Sequence, residues 1–222
     1  NSAMTGTNGG LIVLVADDPS MHSSQDEQDS RFYGKFAMIP TLEPASQQEA
    51  YDMMEEAFQL SEEQHLPVLV RVTTRMAHSR AVVKVKETPR QQNELNYNAQ
   101  ASNWVLLPAF ARKRNDIVTE QQAELETIAE KSSHNKYEDA ADHSMGIIAT
   151  GIAYNYLMEC FPDGCPFPVL KISHYPLPKA LVRRMTEACE SVLIAEEGQP
   201  FVEEMVRGVM PGNTVIKGRL TG

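Results

Sequence analysis

The sequence predicts an α/β protein with two three-layer, parallel-sheet domains, and three observations point there. Apolar runs without alternation, such as Leu11–Ala16, Val68–Val72, Gly146–Thr150 and Val169–Ile172, read as strands buried on both faces of a parallel sheet. Segments with apolar residues at helical spacing alternate with them. A polar stretch with almost nothing to bury, residues 87–102, divides the alternation, so the expected units are 5–86, a linker 87–102, and 103–222.

Each element has its own warrant. Asn1-Ser2-Ala3-Met4 lacks both the charge and the apolar core of a signal peptide and reads as a cloning remnant outside the fold. An opening strand without lead-in, and an end just after a strand and turn, are expected of a middle section cut from a longer polypeptide. Ser24 with Glu27 forms a capping box for a short helix, with Glu27 facing Arg31 one turn on. Ser46 with Glu49 forms another, followed by Ala50, Met53, Met54, Ala57 and Phe58, and that helix stops near His65 before Pro67. Trp104–Phe110 reads as an apolar anchor, and Thr119 with Gln122 opens a charged helix to about Ser132. In the last third, Gly151–Phe161 and Leu177–Cys189 are helices, Val192–Ala195 is a strand, Pro200 opens a helix to Val209, and Val215-Ile216 closes a smaller parallel sheet.

Composition narrows the function classes. Of 222 residues, 30 are acidic and 20 basic, a net charge of −10, which disfavours a nucleic-acid backbone or an anionic membrane as partner. The longest apolar run, Leu11–Ala16, falls far short of the ~20 residues that span a bilayer. Three cysteines are too few for a disulfide scaffold and point to a reducing, cytoplasmic setting. Cys160 and Cys165 have no second pair to complete a zinc site, and Cys189 falls on an apolar helix face.

The stretch most able to carry chemistry runs from Asp17 to Arg31, just past the carboxyl end of a predicted strand, where open α/β sheets bind ligands. Asp17, Asp18, Ser23, Ser24, Gln25 and Glu27 are candidate substrate- or cofactor-side residues. His22 is the candidate for proton handling or carboxylate orientation. The plainer alternative is a solvated loop leading into a capped helix. Arg71, Arg75 and His78 trail another strand and are candidates for an anion or a partner subunit. Glu196-Glu197, adjacent on an extended chain, point opposite ways and do not form a carboxylate pair. Gly6, Gly9 and Gly10 precede a strand instead of following one, which matches neither a dinucleotide fingerprint nor a P-loop.

Longer strings carry a resemblance. Thr5-Gly6-Thr7-Asn8-Gly9-Gly10, Val15-Ala16-Asp17-Asp18-Pro19 and His22-Ser23-Ser24-Gln25 with Glu27-Gln28-Asp29 and Arg31 open it. Ile39-Pro40-Thr41-Leu42-Glu43-Pro44, Thr73-Thr74-Arg75, His78-Ser79, Tyr175-Pro176-Leu177-Pro178, Glu196-Glu197-Gly198 and Gly218-Arg219-Leu220-Thr221-Gly222 continue it. Together they resemble the alpha subunit of indolepyruvate:ferredoxin oxidoreductase.

The resemblance implies oxidative decarboxylation of arylpyruvates with thiamine diphosphate and Mg2+. Electrons would pass through 4Fe-4S clusters to ferredoxin and the acyl group to coenzyme A, with a beta subunit as partner. It also implies that 5–86 is the end of a pyrimidine-binding domain and 103–222 a transketolase-C-terminal-like domain. The segments that would hold the diphosphate and the clusters lie elsewhere in such enzymes, so the expectation is a piece that is inactive alone and binds no cofactor. Removing neighbouring strands should bare a sheet edge and favour self-association. The alternatives are a non-catalytic subunit-interaction module and a free-standing nucleotide-binding protein.

Overall fold

A computed structural model describes residues 1–87, 104–209 and 214–221. The expected linker therefore lies outside the described residues, apart from Glu87. The first half runs α1 (Ser2–Thr5), β1 (Ile12–Asp17), α2 (Arg31–Ala37), β2 (Thr41–Leu42), α3 (Gln47–Gln64), β3 (Val68–Thr73) and α4 (Thr74–His78). The second half runs α5 (Pro108–Lys131), β4 (Lys136–Glu138), β5 (Gly146–Thr150), α6 (Ile152–Cys160), β6 (Val169–Ile172) and β7 (His174–Tyr175). It continues with α7 (Lys179–Ala188), β8 (Ser191–Ala195), α8 (Phe201–Val209), β9 (Val215–Lys217) and a 3-10 turn, Arg219–Thr221.

Two sheets form. The first has the order β1-β3-β2-β7, with Ile12 beside Val68 and Asp17 beside Thr73 in the parallel β1/β3 pair. The second has the order β4-β6-β5-β8-β9, parallel except at β4. The α/β class holds, with one antiparallel edge strand added to each sheet. Those two strands, β4 and β7, escaped the sequence pattern because three- and two-residue pairings show no periodicity. Among the described residues the second sheet, expected to be the smaller, has five strands against four in the first.

One added strand joins the halves. After β6 in the second sheet the chain passes through Ser173 and enters β7, which pairs antiparallel with β2 of the first. The Ser173 carbonyl accepts the Glu43 N–H at 2.8 Å, and Asn135 Oδ1 accepts the N–H groups of Ser173 and His174 at 2.8 and 2.9 Å.

Burial differs from expectation at several places. β1 is not covered on both faces: it is an outer strand whose Leu14 is 66% and Val13 40% exposed. The apolar run encodes affinity for a sheet interior, but no described element lies over its outer side. Trp104–Phe110 is no anchor, since Trp104, Val105, Leu107 and Phe110 are all exposed. The charged helix begins at Pro108, because Pro fits the first turn of a helix and the chain before Thr119 already has helical spacing. Thr119 instead sits inside α5 with its hydroxyl on the Asn115 carbonyl.

The first residues are part of the fold. Ala3 is buried in a cluster with Leu66, Val118 and Leu125, and Arg114 Nε donates to the Met4 carbonyl at 2.8 Å. Three local expectations stand. Ser46 caps α3 through the Glu49 N–H at 3.2 Å, and α3 ends at a left-handed His65. Gly151, at φ +48, makes the turn from β5 into α6 with the Glu43 side chain 2.8 Å from where a Cβ would stand.

Candidate functional site

The carboxyl ends of β1, β2, β3, β5 and β8 converge, and their side chains build a buried ionic cluster. Two guanidinium groups, Arg31 and Arg71, face four carboxylates, Asp17, Asp29, Glu43 and Glu196, and all six residues are buried. Asp17 Oδ2 accepts Arg71 Nε at 2.5 Å, the Ser30 N–H at 2.8 Å and the Ser30 hydroxyl at 2.9 Å. Arg71 Nη1 pairs with Glu43, whose other oxygen accepts the Tyr175 hydroxyl at 2.7 Å. Arg31 Nε donates to Asp29 Oδ1 at 2.8 Å, and Arg31 Nη1 to Glu196 Oε2 at 2.8 Å.

The electrostatics follow from burial against pairing. Burial alone would lower both arginines, but the carboxylate charges, Glu43 first, outweigh it and keep them cationic. For Asp29 burial pushes upward, yet the Arg31 hydrogen bond and the two guanidinium charges hold it below the usual carboxylate range. Glu196 goes the other way: burial raises it despite Arg31 and the N–H groups of Val202 and Glu203 at the start of α8. Burial and the Glu43 charge push the Tyr175 phenol far up, so it stays a donor.

Above this base stands the loop from Asp17 to Ser30. The expected helix at Ser24 does not form; α2 starts only at Arg31. The Asp18 carboxylate wins the competition for the local N–H groups, taking Ser23 at 2.7 Å and Ser24 at 2.8 Å, with the Thr74 hydroxyl at 2.7 Å on its other oxygen. Those three bonds, the Ser23 N–H foremost, hold Asp18 far below the ordinary carboxylate value. Glu27, expected to face Arg31, instead accepts the Ser20 N–H at 2.9 Å and Gln199 Nε2 at 2.6 Å. Ser20 and Met21 adopt left-handed φ of 66° and 53°, which carries His22 out to the rim.

The candidates therefore divide. Asp17 and Asp18 are buried and engaged, Ser24 and Glu27 are half-buried, and His22, Ser23 and Gln25 are exposed. Arg71, expected at an anion or partner site, is wholly buried in the cluster, because its strand is one of the two inner ones. Arg75 does reach the surface, where it pairs with Glu197 at 3.1 Å and lies 5.6 Å from the Tyr156 ring centre. His78 is exposed. Among the described residues, the buried Thr73 Oγ1 and Glu197 Oε2 have no hydrogen-bond partner.

Sequence reasoning missed Asp29, Glu43, Tyr175 and Glu196 as one unit. The signal available was charged residues placed at the ends of otherwise apolar strands.

Two further features lie away from this junction. His134 bridges Glu49 (Nδ1, 3.1 Å) and Glu56 (Nε2, 2.9 Å), tying α3 to the turn before β4. A cavity of about 360 Å³ lies between α2, α5 and α8, with Met38, Ile39, Leu177 and Phe201 in its wall and no residue from 17–30. The three cysteines are graded: Cys160 exposed, Cys165 intermediate, and Cys189 buried with its Sγ 3.7 Å from Met185 Sδ.

The α/β frame is shared with a solved oxidoreductase structure. The chain superposes on a 2-oxoglutarate:ferredoxin oxidoreductase from Magnetococcus marinus with a TM-score of 0.68, covering 98% of this chain and 46% of that one. The sequences are 12% identical, so the likeness is one of fold. Sequence narrows the match. The chain is 39% identical over 212 residues to the indolepyruvate oxidoreductase subunit IorA of Methanothermobacter thermautotrophicus, covering 94% of this chain and 34% of that subunit. It is 39% identical over 223 residues to the IorA of Archaeoglobus fulgidus, covering 99% and 35%, and 41% identical over 212 residues to that of Pyrococcus horikoshii, covering 91% and 32%. No protein-family model matches the chain. Over nearly all its length the chain is homologous to one section of the IorA subunits, and it spans about a third of the length of these curated relatives.

Proposed function

We propose that this chain is the section of an indolepyruvate:ferredoxin oxidoreductase alpha subunit that shapes the substrate side of its cofactor cleft. The supporting observation is identity of 39–41% to IorA subunits across more than nine-tenths of the chain. In this reading residues 5–86 end a pyrimidine-binding domain and 103–222 form a transketolase-C-terminal-like domain. The whole enzyme, cytoplasmic and paired with a beta subunit, converts arylpyruvate and coenzyme A to the aryl-acetyl thioester and passes electrons to ferredoxin.

The described residues do not fit a metal ion or an iron–sulfur cluster. The strand-end carboxylates Asp17, Asp29, Glu43 and Glu196 are committed to Arg31 or Arg71. Among the described residues no three His, Cys, Asp or Glu side chains gather where a metal ion could sit. The cysteines are dispersed and one is buried against Met185, which is no cradle for an iron–sulfur cluster. The isolated chain, about a third of the length of its curated relatives, is expected to be inactive.

What these residues offer the reaction is a rim of donors. His22, Ser23 and Gln25 can orient a carboxylate or keto oxygen, held on a loop whose base the cluster fixes. Replacing His22 by Ala in the full-length enzyme is expected to lower turnover on the order of 10²-fold with folding intact; an unchanged rate removes His22 from the rim. Calorimetric titration of the 222-residue chain with thiamine diphosphate and Mg2+ is expected to give no heat of binding, and micromolar affinity would overturn the division of labour.

A further inference from the structure

The turn Glu196–Gln199 lies in the second sheet's half of the chain, about 170 residues from the 17–31 loop, yet the two are bonded residue by residue. Arg31 donates from Nη1 to the Glu196 carboxylate at 2.8 Å and from Nη2 to the carbonyls of Glu197 at 2.9 Å and Gln199 at 3.0 Å. In return the Gln199 N–H donates to Asp29 Oδ2 at 3.0 Å, and its side-chain amide to Glu27 Oε2 at 2.6 Å. Arg71, which holds Asp17 at the loop's start, reaches the Glu197 carbonyl at 3.2 Å. Both ends of the loop are thus bound through guanidinium groups to one turn of the other half.

Gly198 is what lets the turn approach. Its φ is +95°, and a Cβ there would stand 2.7 Å from Asp29 Oδ2 and 3.1 Å from Arg71 Nη2. Inside the loop, Asp18 closes the 18–24 segment and Glu27 joins it to Ser20, so the loop is stiff locally. Its orientation relative to the sheet rests on the anchors at Asp17, Asp18 (through the Thr74 hydroxyl), Glu27 and Asp29. Two of those four receive hydrogen bonds from Gln199.

We infer that the Glu196–Gln199 turn is a positioning element for the 17–31 loop, setting where His22, Ser23 and Gln25 stand although none of its residues meets substrate. Buried charges give this latch a defined register: displacing the turn strands Arg31 opposite an incomplete set of acceptors, and an unpaired buried charge costs far more than a mispacked apolar group. The functional half of the inference rests on the substrate-side reading of the loop proposed above.

Hydrogen–deuterium exchange on the 222-residue chain tests the latch itself. Gln199→Ala removes the exposed amide held by Glu27 and leaves the buried core untouched, whereas Gly198→Ala forces the turn away. Both are expected to speed exchange in residues 18–30, about tenfold or more for Gly198→Ala, with β5 and β6 unchanged. If exchange in 18–30 stays at the wild-type rate in Gln199→Ala and in folded Gly198→Ala protein, the latch is overturned. In the full-length enzyme Gln199→Ala is expected to raise KM for arylpyruvate severalfold with kcat within about twofold. A loosened loop with unchanged KM leaves the latch standing and overturns the substrate-side reading instead.

Discussion

β1 and β5 read almost alike, Ile-Val-Leu-Val-Ala against Gly-Ile-Ile-Ala-Thr, and end in different surroundings. β5 is the centre of a five-stranded sheet with every residue buried; β1 is the outer strand of its sheet, with Leu14 and Val13 open on its sides. An unbroken apolar run therefore reports what a strand can bury, while the number of neighbours is decided by chain far away in sequence. Among the described residues β1 presents its apolar run at an open sheet edge.

The contrast can be broken most sharply in the interior. Ile148→Ala, at a fully buried β5 position in the main cluster, is expected to lose about 2–5 kcal/mol in urea unfolding. A loss near zero would mean that the second core is loose, and the distinction from β1 would collapse.

A smaller effect concerns the tie between halves. Burial works against a charged His134, but the Glu49 hydrogen bond and the Glu56 charge win and raise its pKa above 6.5. The stabilisation it brings is complete below pH 6.5 and fades as pH rises through the elevated folded value. Glu49, lowered despite burial by His134 and Lys171, contributes above pH 4.5 and loses its contribution as pH falls through its lowered folded value. His174 works against the clamp at low pH: burial, then the His134 charge, hold it down to about 4, so the unfolded chain gains a proton between pH 6.5 and 4 that the folded one refuses. His134→Gln is expected to cost about 1 kcal/mol at pH 6 and less at pH 9, measured by denaturant unfolding at both. An equal cost at both would show that the clamp does not depend on the imidazolium.

The smallest change in stability belongs to the edge. Leu14→Lys should shift stability by no more than about 0.5 kcal/mol while reducing any concentration-dependent association seen by sedimentation. A large loss of stability there would mean that the outer strand is packed after all.

These differences mark what the sequence made legible. Ser46 with Glu49 and the stop at His65 rest on contacts within a few residues, the strand–helix rhythm of 146–209 on unbroken apolar runs, and apart from β7 they appear as read. The helix at Ser24 failed because Asp18, only six residues upstream, captures the Ser24 N–H that the capping box needed. The sequence reads Arg31 as the partner of Glu27 one turn on and Arg71 as a candidate for an anion or a partner subunit. Their burial depends on Glu196, 165 residues from Arg31, and on Glu43, 28 residues from Arg71, separations at which spacing carries no signal. The 17–25 rim was visible as a strand-end loop, but the turn that orients it was not.

The graded cysteines give the molecule its own clock. Cys160 stands open to any thiol reagent, whereas Cys189, at the end of α7, is buried against Met185, with burial and the Asp139 charge raising its pKa and suppressing the thiolate. Pulsed alkylation would mark the first thiol at once and the second only when the five-stranded layer opens. The ratio of the two adducts then times the breathing of one half of the protein without a label having to be introduced.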